Sequence, residues 1–345
     1  MSNILRVGII GAGAISAYHI QGYQACAGAQ VRAICSGHME TAQKRAEEFG
    51  IEKVCADYRE LLADPDIDAV SIVTPTFTHK QMVLDALAAG KHVLCEKPPC
   101  LTVCDVEACN RAAEKSGKLL MYGFVCRHFG HTRYLKQLVD SGKMGHIYYA
   151  DLNRTKRCIR RRGWFNDKEK AGGGDLFDGA IHEIDSALYL MGYPKLKSVK
   201  GYTTHVHNAT PYLVAGEAPV ARTTESAACG MATFENGQCL RVQSGNAFFT
   251  AEEKCSMELC GTKASAIAHV FKKELKLVAL DENNQLVESC PELDQTSPHD
   301  RQIAHFVDCC LNGTECIVKP WQAVEVMRLI CAIYESAERG QEILF

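Results

Sequence analysis

Apolar positions along the chain fall into two rhythms. From Ile4 to Ile10 a short, mostly apolar run stops at Gly11, and Ala14 to Cys26 then follows a helical repeat. The alternation continues with a strand from Gln30 to Cys35 and a helix from Met39 to Phe49, stopped by Gly50. A strand from Asp68 to Val73 follows, then a helix from Thr78 to Ala89 ending at Gly90, where a left-handed residue suits a helix terminus. An apolar run, Lys91-His92-Val93-Leu94-Cys95, precedes a helix opened by Thr102, and Leu119 to Phe124 is one more strand. Strand and helix taken in turn predict a parallel sheet wrapped on both faces by helices.

Beyond residue 124 the rhythm changes. A helix near Thr132 to Asp140 leads into a strand from Ile147 to Arg154, an irregular stretch, and a helix from about Asp175 to Met191. Alternating segments follow at Val199 to His207, Ser226 to Phe234, Cys239 to Ala247, Lys254 to Leu259 and Leu275 to Leu280. Strands in succession without helices between them predict a large, mostly antiparallel sheet. Helices return at Asp300 to Leu311 and Gln322 to Arg339. The expected class is α/β in two domains: residues 1–124 around a parallel sheet, and residues 125–345 as an α+β domain. The C-terminal helix is expected to pack back on the first domain.

Composition narrows the function more by exclusion. With 38 basic and 41 acidic residues among 345, no overall field favours nucleic acid or an anionic membrane. The first residues lack the layout of a signal peptide, and no apolar stretch reaches the roughly 18 residues of a membrane span, so a cytoplasmic protein is expected. Eighteen cysteines without a Cys-x-x-Cys pair read as small core residues rather than zinc ligands or disulfides. Cys100, Cys104 and Cys109 fall near helical spacing, but the ligand pattern is missing, and no metal is expected.

Candidate chemistry starts at Gly11-Ala12-Gly13-Ala14-Ile15-Ser16. After a strand and before a helix, Gly11 permits a tight turn and Gly13 lets backbone approach a pyrophosphate at the helix N-terminus. Ser16 replaces the third glycine of that fingerprint. The second strand ends in Ser36-Gly37, without the acid that usually meets a free ribose 2′-hydroxyl, and Lys44 and Arg45 follow. These features tilt the expected cofactor, NAD(P), towards NADP.

About eighty residues later Glu96-Lys97-Pro98-Pro99 closes the Lys91–Cys95 run. A lysine at the carboxyl end of a sheet strand faces the ligand crevice of an open α/β fold, although an ion pair with Glu96 would also explain it. A second segment, Gly172-Gly173-Gly174 through Asp178, His182 and Asp185, places three polar residues at i, i+4 and i+7 on one helix face. A carboxylate one turn from an imidazole suits a general base that removes a hydroxyl proton. The triple glycine would let another backbone or a ligand approach.

Together, Gly11-Ala12-Gly13, Thr74-Pro75 with His79, Gly90 through Pro98, and Gly172 through Asp185 resemble the Gfo/Idh/MocA oxidoreductases. The resemblance implies an N-terminal Rossmann domain, a C-terminal open-sheet domain often used for oligomerisation, and oxidation or reduction at a carbon of a sugar or polyol. It implies that Lys97 binds the reacting oxygen, that His182 is the acid or base, and that Asp178 supports it. Gly11, Gly13, Ala14, Ile15, Ser36, Thr74, Pro75, His79, Glu96 and Lys97 are the expected cofactor contacts. Lys97, Arg127, Trp164, Asp178 and His182 are the expected substrate contacts. The basic stretch from Arg154 to Arg162 could receive an anionic or glycosidic group, or face water or a neighbouring subunit. His205 and His207, two apart on one face of an expected strand, read as ordinary surface histidines. A homodimer or homotetramer is expected. Transient oxidation of a glycoside by a tightly held cofactor, and a non-catalytic dinucleotide sensor, are the alternatives.

Overall fold

The computed structural model describes residues 4–157, 163–206, 222–248, 250–270 and 272–345. Met1–Val125 with Thr296–Val324 forms one compact unit, and Cys126–Gln295 with Glu325–Phe345 forms a second.

In the first unit β1 (Leu5–Ile10), β2 (Ala29–Cys35), β3 (Lys53–Cys55), β4 (Ala69–Ile72), β5 (His92–Cys95) and β6 (Leu120–Tyr122) make a six-stranded sheet ordered β3-β2-β1-β4-β5-β6. Every pairing in it is parallel. The connecting helices are α1 (Ala14–Ala25), α2 (Met39–Phe49), α3 (Tyr58–Leu62), α4 (His79–Ala88) and α5 (Val103–Ser116). Val7, Ile9, Ile34, Val70 and Leu94 are buried, as strands covered on both faces require. The order reverses between β1 and β4, so the chain leaves their carboxyl ends in opposite directions and opens a crevice there. β3 and α3 were not expected: three residues carry no periodicity, and α3 is set by a capping box between Asp57 and Glu60.

The second unit holds a nine-stranded sheet of β7 (Ile147–Arg157), β8 (Leu196–Thr204), β9 (Ala227–Phe234), β10 (Cys239–Phe248), β11 (Lys254–Gly261), β12 (Ala264–His269), β13 (Glu274–Leu280), β14 (Leu286–Ser289) and β15 (Ile343–Leu344). Its order is β14-β13-β12-β11-β7-β10-β9-β8-β15. Only β7 and β10 pair in parallel among the described residues; the rest are antiparallel. Along β9, Ala228, Ala232 and Phe234 point inward while Cys229 and Met231 are exposed, the alternation of a sheet covered on one face. That cover includes α8 (Asp175–Asp178) and α9 (Ile181–Met191), which follow α6 (Gly130–Asp140) and α7 (Lys168–Ala171).

Two helices end the chain, α10 (Pro298–Asn312) and α11 (Pro320–Arg339). Ser297 caps α10, with Pro298 in its first turn. α10 returns to the first unit and lies against α1. Gly22 makes room for it, since a Cβ there would stand 2.8 Å from Ile303 Cγ1. The division between the units falls inside α11. No helix among the described residues is long and apolar enough to cross a membrane.

Candidate active site

Where β1 meets α1, Gly11 adopts φ +114°, and a Cβ there would lie 2.7 Å from the Val73 carbonyl oxygen. Only glycine lets the turn pass this close to the end of β4. Gly13 precedes α1 without a side-chain cap, and a Cβ on it would meet nothing within 4 Å. Space therefore lies in front of a twelve-residue helix that has no acid in its first turn. That arrangement suits a pyrophosphate, so the turn fits a dinucleotide. Ala14 is exposed and Ile15 half-buried beside it; Ser16 is buried, its hydroxyl donating to the Gly13 carbonyl at 2.6 Å. Ser36 is half-buried and Gly37 exposed at the end of β2, without a carboxylate at either position. Arg45, on α2, donates to the Gly13 carbonyl at 3.3 Å and pairs with Glu48 at 2.7 Å.

The turn after β5 is fixed from below by buried polar groups. Glu96 is 6% exposed; its Oε1 lies 2.9 Å from His19 Nε2, and its Oε2 accepts the Lys97 amide at 3.1 Å. His19, fully buried on α1, places Nδ1 3.2 Å from the Ser71 hydroxyl, which lies 2.8 Å from the Tyr23 hydroxyl. With Glu96 ionised, one polarity satisfies the whole chain: Tyr23 donates to Ser71, Ser71 to His19, and His19 to Glu96. Burial alone would raise the Glu96 carboxyl. The hydrogen bond from His19 and the positive charge of Lys97 hold it below the ordinary value instead. Gly123 leaves the room this needs, since a Cβ there would come within 2.8 Å of Glu96 Oε1.

His79 fastens the neighbouring loop. Its Nδ1 lies 2.8 Å from the Pro98 carbonyl oxygen and its Nε2 2.9 Å from that of Thr74, joining the ends of β4 and β5. Burial lowers its pKa although both carbonyls favour the cation. Thr74, Pro75, His79, Glu96 and Lys97 are thus brought into one structure. Lys97 and Thr74-Pro75 are half-buried at its surface, whereas His79 and Glu96 are turned inward. These two were expected to touch cofactor; their polar atoms hydrogen-bond within the protein.

In the second unit the expected single helix from Asp175 to Met191 is two, α8 and α9, meeting at Gly179. A Cβ on Gly179 would lie 2.3 Å from Arg154 Nε and 2.6 Å from Asp175 Oδ1, so glycine lets the backbone ride over that ion pair. The backbone stays right-handed at Gly179 and Ala180, preserving the one-turn step from Asp178 to His182. Both of these side chains are half-buried.

The triple glycine has a different purpose from the one expected. Cβ atoms on Gly172, Gly173 and Gly174 would meet the Phe177 ring at 2.6 Å, the Tyr334 hydroxyl at 2.2 Å and the Glu225 carboxylate at 2.7 Å. Glu225 accepts the amides of Gly174 at 2.6 Å and Leu176 at 3.3 Å, capping α8 from a distant segment. Side chains of this unit, not a ligand, occupy the space the glycines leave.

Asp185 leaves the expected polar face altogether. It is fully buried and bidentate to Arg127, at 2.8 Å to Nε and 2.5 Å to Nη2, and Tyr193 hydrogen-bonds to both partners. Arg127 is 1% exposed. Burial disfavours its charge, but Asp185 more than compensates and raises its pKa. The expectation that Arg127 reaches substrate is corrected to a buried pair tying the start of this unit to α9. Arg154 is likewise buried, 3.2 Å from Asp175 and 3.0 Å from Glu183. Ser244 donates to Asp175 at 2.8 Å and Cys255 to Glu183 at 2.9 Å. Arg157 is held by the carbonyls of Thr250 and Ala251. Residues 158–162 and His207 lie outside the described residues; His205 is exposed beyond the end of β8. Trp164 is half-buried and stacks on Phe165, with ring centroids 3.9 Å apart.

Sequence reading missed His19, Ser71 and Tyr23. A signal existed: Ser71 interrupts the otherwise apolar Ala69–Ile72 strand, and His19 lies one turn from Tyr23 on the face of α1 that is buried.

A parallel sheet in this order, with a turn that fits a pyrophosphate and a lysine at the end of β5, defines a nicotinamide-dependent oxidoreductase. Comparison with known proteins agrees. The oxidoreductase-family NAD-binding Rossmann domain matches residues 5–124, and that family's C-terminal alpha/beta domain matches residues 136–344. The chain belongs to the Gfo/Idh/MocA oxidoreductase family. A D-glucoside 3-dehydrogenase of Escherichia coli (strain K12) is 31% identical to it, over 99% of this chain and 98% of its own. An NAD(+)-dependent scyllo-inositol 2-dehydrogenase of Bacillus subtilis (strain 168) is 27% identical over 99% and 97%. A levoglucosan dehydrogenase solved with NADH and L-sorbose shares the fold, with a TM-score of 0.91 at 23% identity over 99% and 98% of the two chains.

Proposed function

We propose that this protein interconverts a secondary alcohol and a ketone on a sugar, polyol or sugar derivative. The observation that carries this reading is the Lys97 turn, an ammonium-bearing residue anchored through buried Glu96 in a chain that aligns end to end with a D-glucoside dehydrogenase. A nicotinamide bound at the glycine turn supplies the hydride acceptor or donor. Lys97 binds the reacting oxygen and stabilises negative charge developing there. His182 takes the hydroxyl proton in oxidation and returns it in reduction, and Asp178 orients the imidazole. Trp164 offers an aromatic face to the sugar ring.

The 2′-phosphorylated cofactor is the one the end of β2 favours. Ser36 and Gly37 present no carboxylate to repel a phosphate, and the Arg45 guanidinium already reaches Gly13. The relatives that name NAD weigh towards the other form, so binding titrations with both are the deciding measurement. Arg45→Gln is expected to lower NADP affinity about tenfold and leave NAD nearly unchanged, as loss of one charge-assisted contact implies. NADP and NAD affinities that change by the same factor in the variant would remove NADP from the reading.

The main test is native mass spectrometry of the purified protein for retained cofactor, followed by an absorbance screen against polyols, aldoses and glycosides. Reduced nicotinamide formed with a sugar or polyol supports dehydrogenation. A relative that acts on D-glucosides favours one second reading, transient oxidation of a glycoside. It requires retained cofactor and aglycone release without a net absorbance change. A protein that binds cofactor but turns over nothing in the screen would be the sensor.

A further inference from the structure

Away from the glycine and lysine turns, the first unit gathers three side chains with metal-ligating atoms. His305 and Cys309 stand one turn apart on α10, and Cys316 follows the helix. Gly313, at φ 68°, ends α10 in a left-handed turn that brings the chain back. One ligand atom from each residue then lies within 4.8 Å of the others. Cys309 Sγ is 3.5 Å from His305 Nε2. In a tetrahedral zinc site with Zn–S of about 2.3 Å and Zn–N of about 2.0–2.1 Å, sulfur and nitrogen ligands stand roughly 3.5 Å apart.

We propose that His305, Cys309 and Cys316 bind one thiophilic divalent cation, zinc foremost, which fastens the end of α10 to the segment leading into α11. Two thiolates and a neutral imidazole suit zinc, leaving one tetrahedral position for water. The two thiol protons go to solvent, and the dication with two thiolates is neutral, which suits cysteines only 8% and 7% exposed. Cys316 Sγ donates to the Val318 carbonyl at 3.3 Å, a contact that a metal-bound thiolate gives up. The Ile317 amide donates to His305 Nε2 at 3.0 Å, so the cation must displace that amide. The site is accordingly expected to bind more weakly than a closed four-ligand one. The other close thiol pair, Cys100 and Cys109 at 3.8 Å, has no third ligand among the described residues and serves as the control.

Cobalt(II) is the probe. Full-length protein, reduced and stripped of metal, is titrated with Co²⁺ and then with Zn²⁺. One equivalent is expected to produce a thiolate charge-transfer band with tetrahedral ligand-field bands, and zinc to bleach both. Cys309→Ser/Cys316→Ser should abolish the bands, His305→Gln should weaken Co²⁺ at least tenfold, and Cys100→Ser/Cys109→Ser should change nothing. If the double variant does not fold, Cys316→Ser alone, outside the helix, replaces it. Absence of the bands overturns the proposal. So do bands that survive loss of Cys309 and Cys316, or a protein that holds those two sulfurs only as a disulfide under reducing conditions. None of the three residues has a part in the proposed hydride chemistry, so either reading can fail alone.

Discussion

The two candidate catalytic regions are held by opposite means. Lys97 rests on a hydrogen-bonded relay from Tyr23 through Ser71 and His19 to a single carboxylate, Glu96, all within the first unit. The α8–α9 segment with Asp178 and His182 lies over two buried guanidiniums, Arg127 and Arg154, paired with Asp185, Asp175 and Glu183. A hydrogen-bonded relay fixes a backbone turn while bringing few charges out of water. Buried ion pairs fix helices drawn from distant parts of the chain, but removing one partner strands the other in low dielectric. Damage to the first region should therefore appear mainly in rate, and damage to the supports of the second mainly in stability.

The largest expected effects test the reading itself. Lys97→Ala and His182→Ala should each lower kcat/KM about 10²–10⁴-fold, measured at saturating cofactor, with the midpoint of denaturant unfolding little changed. Unchanged turnover in both would remove the catalytic assignments. Next comes Arg154→Met, which leaves Asp175 and Glu183 without their buried cation and should destabilise the protein by about 3–5 kcal/mol in urea unfolding. A loss below about 1 kcal/mol would mean that the second region does not depend on its ion pairs as the comparison requires.

A smaller effect is a pH dependence. His131 is 1% exposed in the second unit, and burial, against a backbone hydrogen bond, lowers its pKa from 6.5 to about 4. The native state thus favours the neutral ring while the unfolded chain takes up a proton. Its contribution is complete above about pH 6.5 and is lost as pH falls towards about 4, amounting to at most about 3 kcal/mol. His131→Phe should flatten that limb of stability against pH; an unaltered limb would assign it to His79, whose pKa burial lowers in the same sense. Smallest of all is Lys195→Ala at the exposed Lys195–Glu235 pair, worth about 0.5 kcal/mol or less.

How far the sequence could be read differed between the two regions for the same reason. The Gly11 turn and the Glu96-Lys97-Pro98 segment lie at strand ends, where local pattern sets position. The triple glycine, Arg127, Arg154 and Asp185 could not be interpreted from local spacing. Their partners are 29 residues away for Arg154–Glu183, 51 for Gly174–Glu225 and 58 for Arg127–Asp185. Regular helical spacing puts Asp185 near the face of Asp178 and His182, but its side chain is buried against Arg127 while theirs are half-buried. Similarly, nothing in the separation of His305, Cys309 and Cys316 distinguishes them from core thiols until the turn at Gly313 brings Cys316 back.

Periodicity and turn residues by themselves determined the parallel sheet, the later antiparallel sheet, the glycine turn and the lysine at the end of β5. The strands, helices and turns that build these are set by residues a few positions apart, which a linear pattern records directly. Tertiary structure alone decided which charges are spent on one another and which reach the surface. Burying an ion demands a counter-ion at hydrogen-bond distance, and only the folded chain chooses that partner.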